Sequence, residues 1–130
     1  MLSRRSMLSA FGALGATAFT EKLYAAPDYP NRTIRYIVPF PPGGAVDVVG
    51  RVLCERLQGQ FKQSVIVENR AGAGGLTGTR YVAKADPDGY TLVAASFNFL
   101  TLPVLFKDMD FDIVKDFAPI SLVATFQWFS

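Results

Sequence analysis

The chemistry this sequence offers lies in two glycine loops. The first, Pro39-Phe-Pro-Pro-Gly-Gly44, follows a β-branched run that ends at Val38. The second, Arg70-Ala-Gly-Ala-Gly-Gly75, follows Val65-Ile-Val-Glu-Asn69, about thirty residues later. At strand ends, such loops aim bare peptide N–H groups at one point in space. Each following helix adds roughly half a positive charge at its N-terminus. Together these donors hold an anion without a charged side chain, and they suit a carboxylate. Each charge-assisted hydrogen bond contributes about 1.5–3 kcal/mol. The candidate ligand-binding residues are Phe40, Pro42, Gly43, Gly44, Asp47, Gly72, Gly75, Ser96 and Asn98.

Several of these have a plainer role beside the functional one. Asp47, in the first helical turn, either complements the helix dipole and holds the loop shut or grips an amino or hydroxyl group of a ligand. Phe40 packs over a ligand's carbon chain or belongs to the core. Ser96 and Asn98 bond a second polar group or are simply turn residues after a strand. Arg70 pairs with an anion or is a surface arginine at a strand end.

Binding is favoured over catalysis. The chain has no histidine and one cysteine. Zinc and haem sites, and Ser-His-Asp or Cys-His catalysis, therefore lack their ligands or base, so no catalytic residue, metal or cofactor is expected. Cys54 reads as a half-buried packing thiol on the flank of a helix. The run Gly72-Ala-Gly-Gly75 resembles the start of a dinucleotide fingerprint, but Gly-x-Gly-x-x-Gly would need glycine where Thr77 stands. No Walker lysine follows Gly75.

The elements that position the loops can be read from periodicity. Thr33–Val38, Ser64–Glu68 and Tyr90–Ala95 read as strands, the last nearly all apolar as if covered on both faces. Ala45–Gln58 shows helical spacing, with Ala45, Val46, Val49, Val52, Leu53 and Leu57 on one face and Gly59 as its stop. Gly75–Ala85 reads as a short helix. The alternation predicts an α/β fold with a mostly parallel sheet and flanking helices. Ser96–Phe106 reads as irregular or short helix, Lys107–Asp116 as a solvated loop, and Phe117–Thr125 as a fourth strand.

The 130 residues suffice for one small domain, half hydrophobic and 18% charged. The net charge of +2 resides in residues 1–26, leaving 10 of the 13 basic and 10 of the 11 acidic residues in the remainder. A neutral body argues against nucleic acid as a partner. Residues 1–26 read as an export signal: Arg4-Arg5, an apolar run from Met7 to Phe19, and Ala25-Ala26. Ser3-Arg-Arg-Ser-Met-Leu8 is similar to the twin-arginine motif, with an ordinary secretory signal as the alternative. The expected location is the periplasm.

Five motifs occur in order: Tyr29-Pro30; Ile37-Val-Pro-Phe-Pro-Pro-Gly-Gly44 with Asp47; Val67-Glu-Asn-Arg70 with Gly72-Ala-Gly-Gly75; Pro87-Asp-Gly-Tyr-Thr-Leu92; and Val114-Lys-Asp-Phe-Ala-Pro-Ile120. Together they resemble the Bug proteins, the extracytoplasmic solute receptors of tripartite tricarboxylate transporters, from about Tyr29 to Ala124. The resemblance implies the first lobe of a type II periplasmic-binding-protein fold, incomplete here. It also implies a small organic carboxylate as ligand, held largely through backbone N–H groups and ordered waters from the first two loops. The residues this implies are Phe40, Pro42, Gly43, Gly44, Gly72 and Gly75. Membrane permease subunits are the implied partners. Val46, Ala71, Leu76-Thr77 and Ile113 depart from common family residues.

The organisation expected is an export signal over 1–26, a partial first lobe over 27–125 and the start of a crossover to a second lobe over 126–130. A carboxylate receptor is the leading expectation. A truncated, non-functional fragment of one is the alternative, and a nucleotide-binding enzyme fragment a remote third.

Overall fold

The computed structural model describes residues 28–125. The expected export signal and crossover lie outside the described residues. Three β-branched runs form strands: β1 (Ile34–Val38), β2 (Val65–Asn69) and β3 (Thr91–Val93). They pair in the order β2-β1-β3, both ladders parallel. Ile34 faces Val65 and Val38 faces Asn69 on one side, while Arg35 to Ile37 face Thr91 to Val93 on the other. The α/β parallel architecture anticipated from the alternation of elements is therefore present.

Central β1 is the heart of the core. Ile34, Ile37 and Val38 are at most 1% exposed, consistent with a strand covered on both faces. Parallel pairing requires crossovers, supplied by α1 (Ala45–Phe61) and by α2 (Leu76–Ala83), which a 3-10 turn over Ala73–Gly75 introduces. A third helix, α3 (Phe97–Leu105), follows β3 with Pro103 inside it.

Several boundaries differ from the sequence reading. Helix α1 runs through Gly59 to Phe61 and ends where Lys62 turns left-handed at φ 54, its N–H bonding the Gln58 carbonyl at 3.0 Å. Gly59 is thus an interior residue. The buried positions of α1 are Asp47, Gly50 and Cys54, whereas Ala45 and Val52 face solvent. Cys54 is fully buried rather than half-buried, and burial pushes its thiol up to about 11. Strand β3 has three residues, each half-exposed, because among the described residues no strand covers its outer edge.

The fourth strand expected over Phe117–Thr125 does not form. Residues 118–125 are exposed and carry no strand. Apolar, β-branched composition makes a strand only where a neighbour supplies ladder hydrogen bonds. Phe117 instead packs edge-on against Phe99 of α3 at 5.1 Å and against Phe111 at 6.1 Å. The loop before it is tied to α2 by Asp110, which bridges Arg80 at 2.8 Å and Lys84 at 2.6 Å.

Lys62 offers a simple test of the helix end. A non-glycine residue in the left-handed region costs about 1–2 kcal/mol. Lys62→Gly is expected to raise stability by about 1 kcal/mol, glycine's greater unfolded-state freedom offsetting the rest. Urea unfolding reads this as a higher midpoint at unchanged slope.

Candidate functional site

Because all three strands are parallel, their carboxyl ends lie at one edge of the sheet. The chain leaves β1 toward β2 on one side, and β3 sits on the other. The topological switch point is therefore between β1 and β3, where open α/β sheets bind ligands. A narrow cleft lies there, lined by Pro39 and Phe40 after β1, Gly74, Gly75 and Thr79 after β2, and residues from Ala94 to Leu102 after β3. Its volume is about 10 Å³, room for about one water. It is a small open cleft rather than an enclosed pocket. Of the residues picked from the sequence, Phe40, Gly75, Ser96 and Asn98 meet in this cleft. Pro42, Gly43, Gly44 and Gly72 lie outside its lining, exposed on their two loops.

The first loop is held from beneath. Asp47 is 2% exposed. Its Oδ2 accepts the Gly43 N–H at 2.9 Å and Arg51 Nε at 2.9 Å, and its Oδ1 accepts Asn69 Nδ2 at 2.8 Å. Asn69 Nδ2 also donates to the Phe40 carbonyl at 3.1 Å, and Arg51 Nη2 donates to Asn69 Oδ1 at 3.1 Å. Of the two roles open to Asp47 in the sequence, this geometry is the loop-holding one, because three donors surround a buried carboxylate. It also turns the Gly43 N–H inward, so the expectation that this amide faces a ligand is corrected.

The donors left over are those of the helix starts. Gly44 caps α1 without a side-chain hydrogen bond. Residues 42 and 43 form a turn that brings the Gly44 N–H over the Pro41 carbonyl. Among the described residues, no acceptor meets the N–H groups of Ala45 or Val46; the first intrahelical bond is Val48 to the Gly44 carbonyl. The same holds at α3, where Ser96 caps without a side-chain bond and the Phe97 and Asn98 amides are unmet among the described residues. In the second loop the Gly75 N–H is used internally, bonding the Gly72 carbonyl at 2.9 Å. Gly75 itself has φ +103, a conformation glycine adopts without penalty. The buried Thr79 hydroxyl donates to the Gly75 carbonyl at 2.9 Å and fixes that turn.

Arg70 takes its structural role. It pairs with Glu68 Oε1 at 2.5 Å and stacks 3.6 Å from the Tyr81 ring centroid. Arg35 completes the cluster, 2.6 Å from Glu68 Oε2. Partial burial pushes the Glu68 carboxyl up, but Arg35 and Arg70 together hold it below its ordinary value. A larger hollow of about 430 Å³ lies on the outer side of α2, lined by Thr77, Arg80, Tyr81, Lys84 and Ala85. Its two cations are engaged by Asp110, and it lies away from the strand ends, so the switch-point cleft is the better candidate. Among the described residues no group of three or more His, Cys, Asp or Glu is placed to hold a metal.

The Asp47 network predicts an acid transition. Arg51 first, then the Gly43 N–H and the Asn69 amide, hold the Asp47 carboxyl down to about 2 from an ordinary 3.8, against the opposing effect of burial. A depressed folded-state value means stability fully present above about pH 4 and lost as the pH falls through about 2. Urea midpoints are expected to drop across that window, and to drop less in Asp47→Asn, which lacks the titrating group.

Arg51 and Asn69 join the Asp47 network without being among the ligand-binding residues picked from the sequence. The four-residue spacing of Asp47 and Arg51 is a legible ion-pair signal on a helix; the Asn69 contact, 22 residues away, is not.

The model of the tripartite tricarboxylate transporter family receptor matches residues 49–128. The chain belongs to that family. BugT of Bordetella pertussis is 43% identical over 120 residues, which is 90% of this chain and 36% of BugT. A solved periplasmic transporter matches with TM-score 0.62 and 42% identity, over 67% of this chain and 30% of its own. MatC from Rhodopseudomonas palustris, solved with bound malate, matches with TM-score 0.66 and 33% identity, over 73% of this chain and 33% of its own. The chain thus spans about a third of the length of these receptor-family relatives. The matched family is named for a receptor and one solved relative for a periplasmic transporter, neither for an enzyme.

Proposed function

We propose that this chain supplies one wall of an extracytoplasmic, periplasmic receptor site for a small organic carboxylate, feeding a tripartite tricarboxylate-type permease. It works as a binding protein, without catalysis. The observation that carries the reading is the set of unmet amides at the starts of α1 and α3, at the carboxyl edge of the sheet. Among the described residues, no side-chain cation lines the cleft. Neutral donors at a helix start hold a carboxylate through partial charge and geometry. In this arrangement Gly44, Ser96 and Asn98 face the ligand's polar end and Phe40 its carbon chain. Pro42, Gly43, Gly72 and Gly75 shape the loops that present those groups, and Asp47 holds the first loop from below. Ligand then shifts an open–closed equilibrium of the whole receptor by its differential affinity for the closed form. Export through a twin-arginine or secretory signal in residues 1–26 belongs to the same proposal.

The relative solved with malate makes malate the first probe. Titration with L-malate is expected to move the backbone amide resonances of Gly44, Ala45, Ser96 and Asn98, and its uncharged diamide to move none. A chain whose amides ignore malate at high millimolar concentration would sink the reading. A second reading, an inactive portion of a receptor, is favoured by the exposed apolar side chains of α3: Phe97 and Val104 are each 77% exposed. Patches of that kind promote association. Concentration-dependent aggregation without any malate response would select it.

A further inference from the structure

The geometry points to Arg51 and Asn69 as positioning residues of the carboxylate site, acting through Asp47 to fix which way the first glycine loop presents its amides. The inference rests on the proposed function for its ligand but on the described geometry for its mechanism. Three separate elements meet at one buried carboxylate: the loop after β1 through the Gly43 N–H, helix α1 through Arg51, and the end of β2 through Asn69. Arg51 bridges two of them, donating to Asp47 Oδ2 at 2.9 Å and to Asn69 Oδ1 at 3.1 Å. Asn69 bridges two more, donating to Asp47 Oδ1 at 2.8 Å and to the Phe40 carbonyl at 3.1 Å. Phe40 is itself a wall of the cleft.

The consequence is directional. With the Gly43 N–H drawn down onto Asp47, the peptides that follow turn the Ala45 and Val46 amides away from the network. These are the amides left unmet. Releasing Asp47 from Arg51 lets its carboxylate swing toward the start of its own helix, where those same amides are natural partners for an anion. The aspartate then competes with the ligand. Arg51 and Asn69 therefore keep an internal anion out of a site built for an external one. A planar guanidinium is suited to this because one fixed fork reaches Asp47 Oδ2 and Asn69 Oδ1 together, which a lysine ammonium does not reproduce.

The test uses the full chain with two readouts, amide hydrogen exchange at Gly43 without ligand and malate-induced shifts at Gly44–Val46. Arg51→Met and Asn69→Ala are expected to speed Gly43 exchange about ten- to hundredfold and to weaken the malate response by a similar factor. Arg51→Lys is expected to restore neither fully; it serves as the deciding variant if Arg51→Met does not fold. Arg80→Met, which removes a more exposed ion pair remote from the network, is expected to change neither readout. Unaltered Gly43 exchange in the folded Arg51 and Asn69 variants would overturn the inference, whatever malate does. Protected Gly43 in the wild type, exchange accelerated in the variants and no malate response in any form would instead uphold the loop mechanism and overturn the carboxylate reading.

Discussion

Gly78→Leu is expected to abolish cooperative folding. Gly78 is buried in the first half of α2, where the helix lies against the end of β1. A Cβ at this position would sit 2.8 Å from the Arg70 carbonyl oxygen, 2.9 Å from Pro39 Cβ and 3.0 Å from Pro39 Cα. None of these atoms can rotate away, since one is main chain and the others belong to a proline ring and its backbone. Alanine alone imposes an overpacking cost of about 1–3 kcal/mol, with up to about 1 kcal/mol returned by its better helix propensity. Leucine places three further carbons in the same space. Natural domains are stable by only about 5–15 kcal/mol, so a clash of this size consumes much of that margin. Far-UV circular dichroism under urea is expected to show a lowered midpoint for Gly78→Ala and no cooperative transition for Gly78→Leu. A wild-type midpoint in Gly78→Leu would mean that α2 does not pack on Pro39.

Gly75→Val acts on the site rather than on the fold. Here the space is adequate: a Cβ would lie 3.7 Å from Pro39 Cβ and 3.9 Å from Phe40 Cζ, ordinary contact distances. The obstacle is the backbone, because a β-branched residue does not tolerate φ +103. Strain of this kind costs about 1–3 kcal/mol. The loop relieves it by giving up the Gly75 N–H bond to Gly72, and Thr79 loses its acceptor. The valine side chain also enters the cleft shared with Phe40, Ser96 and Asn98. Affinity for malate is expected to fall about ten- to hundredfold, with most of the fold retained because β1 and α1 are untouched. Chemical-shift titration of the Asn98 amide measures it. Undiminished affinity in a folded Gly75→Val would remove the second loop from the proposed site.

The parts of this molecule that are legible in its sequence are the local ones. The runs ending at Val38 and Asn69 announce strands, the first of them buried, and the prolines and glycines after them announce turns. Their alternation with helical spacing points to a parallel sheet, since adjacent parallel strands need crossovers of about that length. What stays hidden depends on partners distant along the chain. Glycine disfavours helix, so Gly59 reads as a stop, yet the hydrogen-bonded ladder carries α1 past it to Lys62. Phe117–Thr125 has strand composition but no strand neighbour, and Phe117 meets Phe99 instead. The place of Asp47 in the first helical turn is visible from the helical spacing. That Asn69 seals it beneath the loop, and that it takes the Gly43 amide with it, follows from tertiary contact alone.

The single thiol sits at 3% exposure between α1 and the sheet, and its ionisation is suppressed. A thiolate-selective reagent therefore cannot label the intact protein; it must wait for α1 to lift off. The rate of Cys54 modification is consequently a clock for that opening, built into the chain without any engineered reporter. Because α1 carries both Asp47 and Arg51, slower labelling in the presence of malate would register how far an occupied cleft clamps the helix down, in the same tube and without isotopes.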